Sequence, residues 1–144
     1  MIIREILNFK GGETYSIAPD QSLAEAVALM MQHGIGSVVV KLKGQMVGLM
    51  TERDVVHNIH TRGPDLTGFK VSDLMTAEPI IGSPEDTVDY VRGVMTENRV
   101  THLPVVEGDE LLGIISFHDV AKACLNEANQ ENLLLKRYIK HWPE

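Results

Sequence analysis

The amino-acid sequence predicts an α/β (α+β) fold of two β-α-β-β-α repeats packed about a pseudo-two-fold axis, with a helical extension at the C-terminus. Three observations lead there. Sliding the chain against itself by 65 residues, the distance from Asp54 to Asp119, aligns two long segments without a gap. Each segment holds one stretch of helical periodicity and two β-branched or aliphatic runs parted by turn residues. Between the segments lies a polar connector containing Gly63-Pro64 and Gly68.

The alignment preserves chemical type more than identity. Pro19-Asp20-Gln21-Ser22-Leu23 falls on Pro84-Glu85-Asp86-Thr87-Val88, Met30 on Met95, Val40 on Val105, Gly48 on Gly113, Thr51 on Ser116 and Asp54 on Asp119. Upstream, Ile3-Arg4-Glu5-Ile6-Leu7 resembles Val71-Ser72-Asp73-Leu74-Met75, given about three extra residues around Lys10-Gly11-Gly12 in the first copy, which read as a loop.

Each copy opens with a short extended piece, Tyr15-Ser16-Ile17 or Ile80-Ile81. Ser22 or Thr87 then caps a helix. In the first helix Leu23, Ala26, Val27, Met30 and Met31 form one apolar face; in the second Val88, Val91 and Met95 hold it, with Gly93 a source of irregularity. Val38-Val39-Val40 with Met46–Met50, and Leu103–Val106 with Leu111–Ile115, read as hairpins turned at Lys43-Gly44 and Gly108-Asp109. Pro104, lacking an N–H, is expected at an edge or at the first residue of its strand. A helix near Asp54 or Asp119 closes each copy. The predicted organisation is repeat 1 over 1–60, a linker over 61–70, repeat 2 over 71–125 and an amphipathic helix over 126–144, where Leu135, Tyr138, Ile139 and Trp142 make an apolar stripe. That stripe covers the chain's own core or forms a dimer contact.

Composition narrows the function. With 44% hydrophobic and 23% charged residues in 144, the chain has the make-up of one folded globular unit. A net charge of −7 disfavours nucleic-acid binding, which rests on cations neutralising phosphates. The start Met1-Ile2-Ile3-Arg4-Glu5 has no basic segment followed by a long apolar stretch, so no export or membrane signal is expected. The single Cys124 fits a reducing compartment and reads as a small apolar helix residue, so a cytoplasmic location is expected.

The chemistry concentrates in Gly48-Leu49-Met50-Thr51-Glu52-Arg53-Asp54 and Gly113-Ile114-Ile115-Ser116-Phe117-His118-Asp119, each at a strand-to-helix junction. Such a helix start offers free N–H groups and a positive dipole end to an anion. Thr51 or Ser116 supplies a hydroxyl, Asp54 or Asp119 an acceptor suited to adjacent sugar hydroxyls, and Arg53 a planar fork for phosphate. Thr-x-x-Asp is also a capping box, and both roles can coexist. The glycine three residues before each hydroxyl is expected where backbone approaches a ligand closely.

These segments, with Val71-Ser72-Asp73-Leu74-Met75-Thr76 and Asn98-Arg99-Val100-Thr101-His102-Leu103-Pro104-Val105-Val106, make the chain resemble a tandem pair of cystathionine-β-synthase (CBS) domains, a Bateman module. The resemblance covers most of the chain. It implies regulatory binding of an adenosine ligand (AMP, ADP, ATP, NAD or S-adenosylmethionine), with no metal required. The motif aspartate would hold ribose, the motif Thr or Ser would lie near ribose and phosphate, and Tyr15, Ile17 or Ile80 would lie against adenine. The first copy has a plainer wall, Gly36-Ser37-Val38-Val39, where the second has Thr101-His102-Leu103-Pro104. The second has His118 in place of Arg53, a weaker phosphate clamp near neutral pH, so the first motif ranks higher.

Other classes fit less well. His57 and His60 could share a helix face, but no third metal ligand stands at a recognisable spacing. Ser116 with His118 is too poorly placed for a nucleophile and base, so no enzymatic activity is expected. The expected molecule is a homodimer that signals to an effector protein in trans. The alternative is a structural or dimerising module whose motifs only cap helices.

Overall fold

The computed structural model describes residues 1–11 and 13–140, the side chains of 136–140 excepted. Its elements run α1 (Ile3–Lys10), β1 (Ser16–Ile17), α2 (Leu23–His33), β2 (Ser37–Leu42), β3 (Gln45–Thr51), α3 (Glu52–Arg62), α4 (Val71–Leu74), α5 (Val88–Asn98), β4 (His102–Glu107), β5 (Glu110–Ser116) and α6 (Phe117–Lys140). Ser22 Oγ accepts the Glu25 N–H and Thr87 Oγ1 the Tyr90 N–H, so both expected caps form. Leu23, Ala26 and Met30 are buried and Val27 is half-buried, but Met31 is 77% exposed, which narrows the apolar face of α2. Gly93 does not interrupt α5.

Two small sheets carry the repeats. β1 runs parallel to β2, which pairs antiparallel with β3; β4 pairs antiparallel with β5. The hairpins match in detail, each with a register shift one residue past the aligned valines, at Val40/Lys41 and Val105/Val106. Lys43 and Gly44 take left-handed φ values of 52° and 79° in the first turn.

The expected strand at Ile80-Ile81 does not form, and Pro104 explains why. In the first copy the Val39 N–H reaches the Tyr15 carbonyl at 3.0 Å, which establishes β1. Pro104 aligns with Val39 and has no hydrogen to give, so the second copy keeps a single parallel bridge, Gly82 to Val105. Pro104 is therefore the third residue of β4 and not its first, but it stands on an edge strand as expected, its nitrogen directed at an unpaired segment. Gly82 is required at the bridge, because a Cβ there would lie 2.8 Å from Leu103 Cδ2.

The two short leader helices are exchanged. α1 precedes repeat 1 yet buries Ile3, Ile6 and Leu7 in the core of repeat 2 with Val88, Val91, Met95, Leu103 and Ile115. α4 precedes repeat 2 yet buries Val71 and Leu74 in the core of repeat 1 with Ile17, Leu23, Ala26, Met30 and Met50. Backbone bonds lock the exchange symmetrically: Ile3 N–H to Asp86 O and Arg4 N–H to Pro84 O, then Val71 N–H to Gln21 O and Ser72 N–H to Pro19 O, all at 2.9 Å. Lys10, expected in a loop, is the last residue of α1, while Gly12 lies outside the described residues. α6 is continuous across residues 125 and 126. Of the C-terminal stripe, Leu135 is exposed, and the side chains of Tyr138, Ile139 and Trp142 lie outside the described residues.

The exchange has a mutational signature. Ile3→Ala should cost roughly 2–5 kcal/mol in denaturant unfolding. Amide exchange should accelerate first in α5, β4 and β5, the repeat that Ile3 packs into. Acceleration confined to β1, β2 and β3 would contradict the exchange.

Candidate functional site

Both motifs cap the helix they open. Thr51 Oγ1 accepts the Asp54 N–H at 3.2 Å, and Asp54 Oδ2 accepts the Thr51 N–H at 2.8 Å and its hydroxyl at 3.1 Å. Ser116 Oγ accepts the Asp119 N–H at 3.1 Å, and Asp119 Oδ2 accepts the Ser116 N–H at 2.8 Å. Each helix start is also tied to the other hairpin strand of its repeat: Glu52 N–H to Gly36 O and Phe117 N–H to Thr101 O. Gly48 makes room for the neighbouring Met75–Thr76 segment. A Cβ there would lie 2.6 Å from Met75 Sδ and 2.9 Å from Thr76 O, where Leu49 and Thr76 exchange two backbone bonds.

Because the leaders are exchanged, each cleft combines the motif of one repeat with the wall of the other. The first cleft, of about 340 Å³, joins Thr51, Arg53, Asp54 and His57 to Thr76, Ile80, Asn98, Arg99, Thr101 and His102. The second, of about 350 Å³, joins Ile114 and Ser116 to Thr14, Tyr15, Gly34, Gly36 and Ser37, with Lys10 and His102 also lining it. The richer motif thus faces the richer wall, a pairing opposite to the one that groups motif and wall by repeat.

Among the described residues the hydrogen-bond partners of Asp54 in the first cleft are neutral, Thr51 on Oδ2 and the Thr76 hydroxyl on Oδ1 at 3.0 Å. Arg53 Nη1 donates to the Arg99 main-chain carbonyl at 2.6 Å, and both arginines line the cleft. Arg99 sits at the C-cap of α5 with φ of 54°, a left-handed position that the first repeat gives to Gly34. An arginine there bears conformational strain that a glycine would not. Of the sequence candidates, Thr51, Arg53, Asp54, Ile80 and His102 meet here. Arg99, Thr76 and His57 join them without having been singled out as binding residues; the alignment of Arg99 with Gly34 was the available signal.

The second cleft differs. Tyr15 lines it and stacks on His33 with ring centroids 3.8 Å apart. Ser116 lines it, but His118 is exposed and lines neither cleft, and Ile17 is 5% exposed within the first core. Asp119 is drawn away: its Oδ2 accepts the Lys10 ammonium at 2.6 Å, and the carboxylate lies on a groove between α1 and α6. Burial would raise the Asp119 pKa, but the Lys10 ammonium and the Ser116 donors outweigh it and lower the pKa below 3.8. Among the described residues no group of three or more His, Cys, Asp or Glu is placed to hold a metal ion, and no helix is long and apolar enough to cross a membrane.

His102 lines both clefts, packed over Gly36 so closely that a Cβ there would lie 2.9 Å from its Cε1. Its Nδ1 stands 3.1 Å from Thr101 Oγ1. Burial lowers its pKa below 6.5; Glu52 opposes this, Lys10 adds to it and Asp119 opposes it.

The family model for the CBS domain matches residues 12–61 and 71–126. A mitochondrial CBS domain-containing protein of Arabidopsis thaliana is 33% identical over 96% of this chain and 71% of its own length. The crystal structure of a CBS-domain containing protein from Agrobacterium tumefaciens superposes with a TM-score of 0.81 at 35% identity, over 85% of this chain and 98% of that one. A CBS domain pair solved in complex with 5-methylthioadenosine and S-adenosyl-L-methionine shares the fold, with a TM-score of 0.75 at 20% identity, over 88% of this chain and 98% of that one.

The depressed His102 sets a sign for pH. A histidine whose folded pKa lies below its unfolded one contributes stability that is complete above pH 6.5 and is lost as pH falls through the folded value. Between about pH 8 and about pH 5.5 the Tm of the wild type should therefore fall more than that of His102→Gln, by differential scanning fluorimetry. Asp119 acts in a separate window below pH 3.8. Equal slopes for the two proteins would remove His102 as the source.

Proposed function

The chain belongs to the CBS-domain family, and from that premise we propose that it is a regulatory sensor of an adenosine nucleotide, bound between its repeats and read by a partner protein in trans, with no catalysis of its own. One observation carries the reading. The first cleft is lined by a carboxylate with neutral hydrogen-bond donors, two arginines and two histidines. Asp54 would take the ribose hydroxyls, Arg53 and Arg99 the phosphate beside the N-terminus of α3, and Ile80 one face of adenine. Two arginines on the cleft wall favour AMP, ADP, ATP or NAD over S-adenosylmethionine, which has no phosphate. That a pair of the same fold was solved with two adenosine ligands supports the class of ligand. A homodimer in the cytoplasm completes the proposal, the exposed Leu125, Leu133, Leu134 and Leu135 of α6 being consistent with self-association.

A second reading, a structural module whose motifs only cap helices, is favoured by the capping bonds that both motifs make. Isothermal titration with AMP, ADP, ATP, NAD and S-adenosylmethionine separates the two. On the sensor reading, Asp54→Ala and Arg99→Met each weaken phosphate-bearing ligands about tenfold or more, the loss of one charged hydrogen bond. On the capping reading, Asp54→Ala lowers stability by about 1 kcal/mol and no ligand of the panel binds up to about 1 mM.

A further inference from the structure

The clefts are pseudo-equivalent in backbone but not in what occupies their carboxylates. Asp54 is met by hydroxyls of Thr51 and Thr76, and the corresponding Asp119 by a lysine ammonium. That lysine comes from the stretch by which the first leader exceeds the second: α1 runs Ile3–Lys10, whereas α4 ends at Leu74. The exchange of leaders carries the end of α1 to repeat 2, so the extra length delivers Lys10 to the Asp119 motif. Its Nζ donates to Asp119 Oδ2 at 2.6 Å and to the Ile114 carbonyl at 2.9 Å. Lys10 lines both the Ser116 cleft and the α1–α6 groove, while Asp119 lines only the groove. The lysine is a wall between the cleft and its own motif aspartate.

Resting on the nucleotide reading above, we propose that Lys10 locks the Ser116–Asp119 cleft against ribose, so that the chain takes its nucleotide in the Thr51–Asp54 cleft alone until Lys10 is withdrawn. A ribose hydroxyl that replaces Thr76 on Asp54 exchanges one neutral donor for another. One that approaches Asp119 meets a carboxylate whose charge the Lys10 ammonium on Oδ2 already offsets, which weakens it as an acceptor, and must pass the lysine side chain to reach it. The Lys10 pair, with side chains 39% and 20% exposed, is shielded enough to persist in moderate salt and open enough for the lysine to swing out.

Titration of the full chain with AMP tests this through stoichiometry. The wild type and Lys10→Arg should bind about one AMP per chain, and Lys10→Met about two. Lys10→Gln, which keeps length and polarity, should also reach two and serves if the methionine variant fails to fold by circular dichroism. Adding Asp119→Asn to either open variant should return it to one. Two AMP per wild-type chain, or one per chain in folded Lys10→Met and Lys10→Gln, would overturn the lock while leaving the sensor reading intact. Where AMP does not bind, the same stoichiometry is read with ADP, ATP or NAD, and binding of none of the four overturns the sensor reading, and the lock with it.

Discussion

Six backbone hydrogen bonds hold the architecture together, three for each leader segment, joining residues 1, 3 and 4 to the turn before α5 and its first residue, and residues 69, 71 and 72 to the turn before α2 and its first residue. They commit each leader helix to the repeat it does not precede. Ile3 and Val71 are both 0% exposed, each in the core of the other copy. A unit of about 60 residues buries too little surface to be secure alone, and the exchange supplies the missing face of each core from across the pseudo-axis. The polar connector spans the units without needing a core of its own.

The composition of the clefts follows from that commitment. With the leaders crossed, the Met75–Thr76 segment lies along β3, pairs with Leu49 and brings the Thr76 hydroxyl to Asp54. Gly48 and Gly36 lie where the two repeats leave too little room for a Cβ, the first against Met75 and Thr76, the second beneath His102. A Cβ at Gly48 would meet the Thr76 main-chain carbonyl at 2.9 Å, whereas one at Gly36 would meet the side chains of His102 and Glu52. Pro104 adds an asymmetry of its own, since its missing N–H leaves Ile80 free of the sheet and on the cleft wall.

Much of this was legible from the chain. One offset exposed the duplication, and helix caps, hairpins and the motif junctions followed from local residue chemistry at Ser22, Thr87, Lys43-Gly44, Thr51 and Ser116. What local chemistry does not encode is partnership. The apolar pattern of Ile3, Ile6 and Leu7 says that the helix has a buried face but not which core receives it, so the crossing of motif and wall was not visible. Ile17 reads equally well as a ligand contact or a core residue, and long-range packing chose the core. Lys10 in a glycine-flanked stretch resembles any loop lysine until the exchange places it beside Asp119. Arg99 and Pro104 stood one step from being read: aligning them with Gly34 and Val39 gives the strained arginine and the lost hydrogen bond.

Neither cleft exists in a half-folded chain. A chain with only repeat 1 structured presents Thr51 and Asp54 but no Arg99 or Ile80, and one with only repeat 2 structured presents the reverse. A molecule seated across both has nothing to bind in a partly unfolded intermediate, so its binding energy counts wholly toward the state in which both halves are docked. A ligand bound there would therefore sharpen unfolding toward a single all-or-none step, and depopulate the half-open forms from which proteolysis and aggregation of two-part chains begin.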